Sequence, residues 1–183
     1  MKITTYGRGN IGGGLGDLWE KAGHQVTRLG RDGGDVSDAD AVLLAIPGQA
    51  VGEAMDRLIG LEGMTVIDAT NRMPGVEPPT GFASNAEYVR SRTRGPTAKS
   101  FNLNFAVMYP RLGEARAKPS NLWCGDDEAQ EVVEQLIRDA GFEPVRVGGL
   151  DMARPQEDMI RVTFGIRRLM GPFLYRMAPP QDL

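Results

Sequence analysis

At 183 residues the chain fits one domain with a sizeable core and leaves no room for a second full-size catalytic domain. With 41% hydrophobic and 25% charged residues it has the composition of a globular protein, and a net charge of −3 offers no broad electrostatic footprint for nucleic acid. One cysteine, Cys124, excludes a disulfide framework, and one histidine, His24, without HExxH or paired Cys/His spacing argues against a metal centre. Residues 1–25 carry no charged n-region and apolar h-region, and no apolar run is long enough to span a bilayer, so the expected location is the cytoplasm with no membrane partner.

In chain order, Lys2-Ile3-Thr4-Thr5-Tyr6 reads as a strand that turns through Gly7-Arg8-Gly9-Asn10-Ile11-Gly12 into a helix carrying Leu15, Leu18 and Trp19. In such a GxGxxG loop Gly7 permits the tight turn, Gly9 lets the backbone approach a pyrophosphate, and Gly12 lets the helix pack close to the strand. The anion would sit on unpaired N–H groups at the positive end of the helix dipole. After Ala22-Gly23, His24 to Leu29 reads as a second strand. Only about ten residues then separate Arg31 from the apolar run Asp40 to Pro47, fewer than a parallel crossover normally takes. Residues 33–39 are therefore expected to be a loop or stub, with Asp35-Val36 as the vestige of a third strand and the adenine end of a cofactor more exposed than usual.

The run from Asp40 to Pro47 has the pattern of a strand buried on both faces, and an amphipathic helix from Gln49 to Leu58 follows. Met64 to Asp68 gives the next buried strand, ending in Ala69-Thr70-Asn71, before a loop at 74–81. Ser84 is placed to cap a helix reaching Arg94, with Arg90, Arg92 and Arg94 as its solvated end. Thr97 to Phe101 and Leu122 to Cys124 read as strands, a helix starts at Asp126 or Asp127 and ends at Gly141, and Glu143 to Val147 is a last strand. The alternation specifies an α/β doubly wound, mostly parallel sheet over residues 1–150, with a helical segment over 151–183 that packs on it or forms a dimer interface.

The end of the second strand, about 20 residues past the glycines, decides the dinucleotide: a carboxylate takes ribose hydroxyls, whereas a 2′-phosphate needs a cation. Here Gly30-Arg31 favours NADP(H), with Arg31 as the phosphate partner and Arg28 as a second if it points the same way; Asp32 is the competing carboxylate. Gly7-Arg8-Gly9-Asn10-Ile11-Gly12, Ala22-Gly23-His24, Gly30-Arg31, Ala45-Ile46-Pro47, Ile67-Asp68-Ala69-Thr70-Asn71 and Lys99-Ser100-Phe101-Asn102 together resemble successive motifs of the F-420-dependent NADP oxidoreductase family, and the chain resembles a shortened member. The resemblance implies a Rossmann fold and hydride passing between NADPH and a deazaflavin, coenzyme F-420, or a flavin. The chain departs from the family's pattern at Gly30, where a serine usually precedes the 2′-phosphate arginine.

Hydride transfer asks the protein mainly for positioning, since the cofactor carries the chemistry. Ile46 and Pro47 are expected against the cofactor, with Asn71, Lys99, Asn102 and Asn104 at the strand-end rim. There Lys99 or an Asn could polarise a carbonyl or imine, or could hydrogen-bond loop carbonyls and organise the rim. His24, on the far side of the sheet, and Cys124, inside a strand, are expected to be structural. The Met- and aromatic-rich stretch from Met159 to Met177 carries apolar residues on more than one helix face, expected as a homodimer interface or a wall for a flat acceptor ring, with Arg167 and Arg168 meeting an acidic substrate or water. Two other functions fit the pattern: an NADPH-dependent reductase of a small carbonyl or imine, and a redox sensor that binds NADP without turnover.

Overall fold

The computed structural model describes residues 1–72, 75 and 77–182. It is a Rossmann-type doubly wound α/β fold. Among the described residues nine strands form, β1 (Lys2–Tyr6), β2 (Gln25–Leu29), β3 (Gly34–Asp35), β4 (Ala41–Leu44), β5 (Leu58–Ile59), β6 (Thr65–Asp68), β7 (Thr97–Ser100), β8 (Ser120–Gly125) and β9 (Glu143–Gly148). Five α-helices accompany them, α1 (Asn10–Lys21), α2 (Val51–Asp56), α3 (Asn85–Thr93), α4 (Gln130–Asp139) and α5 (Ala153–Met170). Seven strands make one sheet in the order β2-β1-β4-β6-β7-β8-β9, parallel except where β8 runs antiparallel to β7.

Both faces of the sheet are covered, which is why the apolar runs do not alternate. On β4, Ala41 and Leu43 join the core under α1 and α4 with Leu15, Trp19, Val133, Leu136 and Ile137, while Val42 and Leu44 join the core under α2 and α3 with Val51, Ala54, Met55 and Val89. The buried Trp19 indole donates to Leu136 O at 2.8 Å, tying α1 to α4. His24 Nε2 meets Asp139 Oδ2 at 2.9 Å and holds the turn before β2 to the same helix, away from the strand ends where ligands gather in such sheets.

The short segment after Arg31 is a stub. The two-residue β3 does not join the main sheet; it pairs with β5 through Gly34↔Leu58 and Asp35↔Ile59. Several boundaries differ from the sequence reading. The helix expected from Gln49 starts with a 3-10 turn, Gly48–Ala50, and stops at Asp56 because Leu58 is drawn into β5. A 3-10 turn, Asp127–Ala129, likewise precedes α4. Ser84 caps α3 by accepting from Glu87 N at 3.2 Å, and Glu87 Oε2 accepts from Ala83 N at 2.7 Å. Of the arginines placed at its solvated end, Arg90 pairs with Asp126 and Arg92 with Asp56, while Arg94 is the left-handed cap. Residues 73, 74 and 76 of the loop expected at 74–81 lie outside the described residues.

The C-terminal segment is one helix followed by a return strap. Gly171 at φ +81° and Pro172 end α5, and the chain comes back to β8, where Ser120 N donates to Tyr175 O at 2.7 Å and Met177 N to Ser120 Oγ at 2.9 Å. Among the described residues no helix is long and apolar enough to cross a membrane.

Candidate functional site

β1 sends its crossover to β2 on one side and lies beside β4 on the other, so a crevice opens where β1 and β4 end. Gly7 stands at that point with φ +117°, and a Cβ on it would lie 2.1 Å from Ala45 O. No other residue fits there. At Gly12 a Cβ would lie 2.0 Å from Gly7 O, so the helix could not pack as closely. Gly9 is different: a Cβ there would meet no atom of the protein within 4 Å. Nothing in the fold requires glycine at that position, whereas a ligand backbone approaching the loop would. Gly9 is also the N-cap of α1, with no side-chain cap and no acidic residue in the first turn, so the helix end remains available to an anion.

A cavity of about 600 Å³ opens beside this loop, lined by Gly7, Arg8, Gly9, Gly30, Arg31, Ile46 and Pro47 among others. Asn10, Ile11 and Gly12 form the first turn of α1 behind it. Arg31 is held by its carbonyl, which accepts from Tyr6 Oη at 3.1 Å and from Arg57 Nη1 at 2.8 Å. Arg8 Nε donates to Arg28 O at 3.2 Å, and its guanidinium lies 3.5 Å from where a Gly30 Cβ would stand. Arg28 itself turns away: its guanidinium pairs with Asp17 and Glu20 of α1, both at 2.7 Å, so it is no second phosphate partner. Asp32, the competing carboxylate, is exposed and does not line the cavity, whereas Arg57 and Glu53, which the sequence did not single out, do.

Asn71 and Asn102, from the ends of β6 and β7, lock each other: Asn71 Nδ2 donates to Asn102 O at 2.7 Å and Asn102 Nδ2 to Asn71 Oδ1 at 3.0 Å. Phe101 immediately precedes Asn102. It adopts φ +58°, a conformation that costs a bulky residue about 1–2 kcal/mol, and its ring, fully buried and edge-on to Trp19 at 5.7 Å, offsets the strain. Gly48 packs against the Asn71 carbonyl, since a Cβ there would lie 2.4 Å from it, so Asn71 borders the segment that carries Ile46 and Pro47.

Lys99 does not reach this rim. Its side chain is fully buried, and its ammonium donates to Asp68 Oδ2 and Glu157 Oε1, each at 2.8 Å, and to Thr70 O. Glu157 Oε2 accepts from Arg72 Nε at 2.9 Å, closing a buried group of two cations and two carboxylates. Burial alone would lower the Lys99 pKa, but Asp68 and Glu157 outweigh it and hold the amine above its ordinary range; burial pushes the Glu157 carboxyl upward. All three donors of the Lys99 ammonium are thus used within this buried group. Asn104 is buried too, donating to Asn121 Oδ1 at 2.7 Å, and burial pushes the Cys124 thiol up to about 12.

A second cavity, of about 570 Å³, is lined by Asn71, Arg72, Ile160, Arg161, Phe164, Gly165 and Arg168, so Asn71 faces this cavity and does not line the one beside the glycine loop. Arg168 thus faces a cavity, while Arg167 lies over the Phe105 and Phe164 rings at 5.4 and 5.5 Å.

No protein-family model and no curated protein matches the sequence. Solved structures do match the fold. A protein from Arthrobacter sp. FB24, provisionally described as an F-420-dependent NADP-reductase, is similar with a TM-score of 0.78 at 20% identity, over 98% of this chain and 100% of that one. The hypothetical protein SMa0349 from Sinorhizobium meliloti gives 0.65 at 22% identity over 85% of this chain and 88% of its own. The reductive aminase from Aspergillus terreus, solved with NADPH and ethyl levulinate, gives 0.68 at 15% identity over 91% of this chain, which spans 62% of that longer one. At these identities the likeness establishes the doubly wound α/β fold.

Proposed function

We propose that this chain is an NADP(H)-dependent oxidoreductase that moves hydride between the nicotinamide and a flat acceptor, a deazaflavin such as coenzyme F-420 or a flavin. The observation that carries the reading is the cavity in which an uncapped helix end, a glycine with open space before it and Arg31 face one crevice. Its residues fit a phosphorylated dinucleotide: the α1 N-terminus for the pyrophosphate, Arg31 for the 2′-phosphate, Ile46 and Pro47 as an apolar wall. The fold likeness to an NADPH-bound reductive aminase and to the Arthrobacter protein supports it.

When bound, NADP(H) supplies the hydride chemistry. The protein's own task is to hold two rings face to face, and Asn71, locked to Asn102 and lining the second cavity, is suited to position the acceptor there. The second cavity offers Phe164 as a ring surface and Arg161 and Arg168 for acidic groups. Reduction of a small carbonyl or imine would need a proton donor, and the described residues lining that cavity include no acid, tyrosine, histidine or lysine. We further place a second copy of the chain on the C-terminal half of α5, where Val162, Ile166, Leu169 and Met170 are exposed.

The test is titration of the purified protein with NADPH and with NADH, followed by oxidised coenzyme F-420 and then a flavin. The expected result is preferential NADPH binding and loss of nicotinamide absorbance when an acceptor is added, with Arg31→Ala losing the NADPH preference. Binding without turnover of either acceptor would overturn the oxidoreductase reading, and no binding of either nucleotide would overturn the site.

A further inference from the structure

The cavity beside Arg31 carries a further arginine, Arg57, on the segment that flanks the short stretch after Arg31. Residues 33–39 form no helix, so the end of α2 and the two-residue β5 occupy the flank that a full crossover would fill. Arg57, the C-cap of α2, is built into the turn that follows Arg31: Gly34 N donates to Arg57 O at 3.1 Å, and Arg57 Nη1 donates to Arg31 O at 2.8 Å. A Cβ on Gly33, which has φ +75°, would lie 2.0 Å from Arg57 O, so the two segments touch backbone to backbone. The remaining partner of the guanidinium is Glu53, one turn earlier on α2, and this exposed carboxylate also lines the cavity.

Resting on the NADP(H) reading above, we propose that Arg57 is a specificity-determining residue that binds the 2′-phosphate of the dinucleotide together with Arg31, and that Glu53 is the carboxylate it exchanges for that phosphate. Three arginines, Arg8, Arg31 and Arg57, and one acid, Glu53, are among the residues lining the cavity, a balance of charge suited to a phosphate near −2. An exposed pair one helical turn apart is a weak interaction, whereas a guanidinium on a phosphate dianion forms a strong, planar, charge-assisted one. Arg57 therefore matters twice: it offers donors to the phosphate, and its charge masks a carboxylate that would repel it. NADH has no 2′-phosphate, so with NADH the Glu53–Arg57 pair stays closed and neither effect operates. The sequence pattern that looks for a cation at the end of the second strand cannot find Arg57, because it stands 26 residues past Arg31.

The experiment compares dissociation constants for NADPH, NADH and 2′,5′-ADP in the wild type, Arg57→Gln and Glu53→Gln. Glutamine at 57 keeps a donor for the Arg31 carbonyl while removing the charge. Arg57→Gln is expected to weaken NADPH and 2′,5′-ADP about tenfold to a hundredfold and to leave NADH within about twofold, the range for one lost charge-assisted contact. Glu53→Gln is expected to tighten 2′,5′-ADP by about twofold to fivefold, since a competing partner is gone. Equal weakening of NADPH and NADH in Arg57→Gln, or none in either, overturns the proposal. Should Arg57→Gln fail to fold, Glu53→Gln decides, and unchanged or weaker 2′,5′-ADP binding overturns it. A wild type that binds NADPH while the variants behave in these contrary ways defeats this proposal alone; a wild type that binds neither nucleotide defeats the functional reading with it.

Discussion

A lysine cut off from water has to be explained by its partners. Lys99 lies between Asp68 and Glu157 with Arg72 behind, and leaving buried carboxylates without their cation costs about 3–5 kcal/mol. We therefore expect Lys99→Met to lower the urea-unfolding free energy by roughly that amount. A lysine that served only to touch a ligand would give a variant as stable as the wild type. The sign of the pH dependence follows from the raised pKa: the contribution of Lys99 is complete at neutral pH and is lost only as pH climbs through its folded value, above the ordinary value of about 10.4. Sequence read Lys99 as part of its strand but expected its side chain at the rim with Asn102. It could not show that Glu157, 58 residues further on, would fold over the ammonium, because nothing local to either residue encodes that meeting.

At the scale of elements, the glycine loop separates two roles that the GxGxxG pattern merges. Gly7 answers to the fold and Gly9 to a ligand. Gly7→Ala should lower stability by more than 1 kcal/mol, since the new methyl collides with the Ala45 carbonyl and the backbone has positive φ. Gly9→Ala should unfold within about 1 kcal/mol of wild type and yet weaken NADPH binding at least about tenfold, as thermal unfolding and nucleotide titration on the same samples would show. The loop, the stub after Arg31 and the Ser84 cap were legible because each is a local necessity of backbone geometry or residue count. The antiparallel direction of β8 was not, because a short apolar run reads alike in either direction. The direction of Arg28 was left open for a similar reason: whether a strand residue faces ligand or helix depends on carboxylates that α1 brings alongside, Asp17 and Glu20.

For the molecule as a whole, the unfinished surface is the far half of α5. Its first half enters the sheet with Gln156 and Glu157 buried, while Leu169 is 90% exposed and Met170 68%. If a second copy covers that face, light scattering at micromolar concentration should give twice the mass of the chain, and Leu169→Asp should return a monomer that still binds NADPH. A monomeric wild type would show that the face serves something other than self-association.

The missing crossover has one more consequence, for solubility. With no third strand in the main sheet, β2 becomes its margin, a row of backbone groups that could recruit strands from other molecules. The chain blunts that margin in its own way. β2 is only five residues long, Gln25 and Thr27 on it are exposed and polar, and the Arg28 carbonyl is already taken by Arg8. Omitting a strand has left the sheet narrower without leaving it a ready template for aggregation.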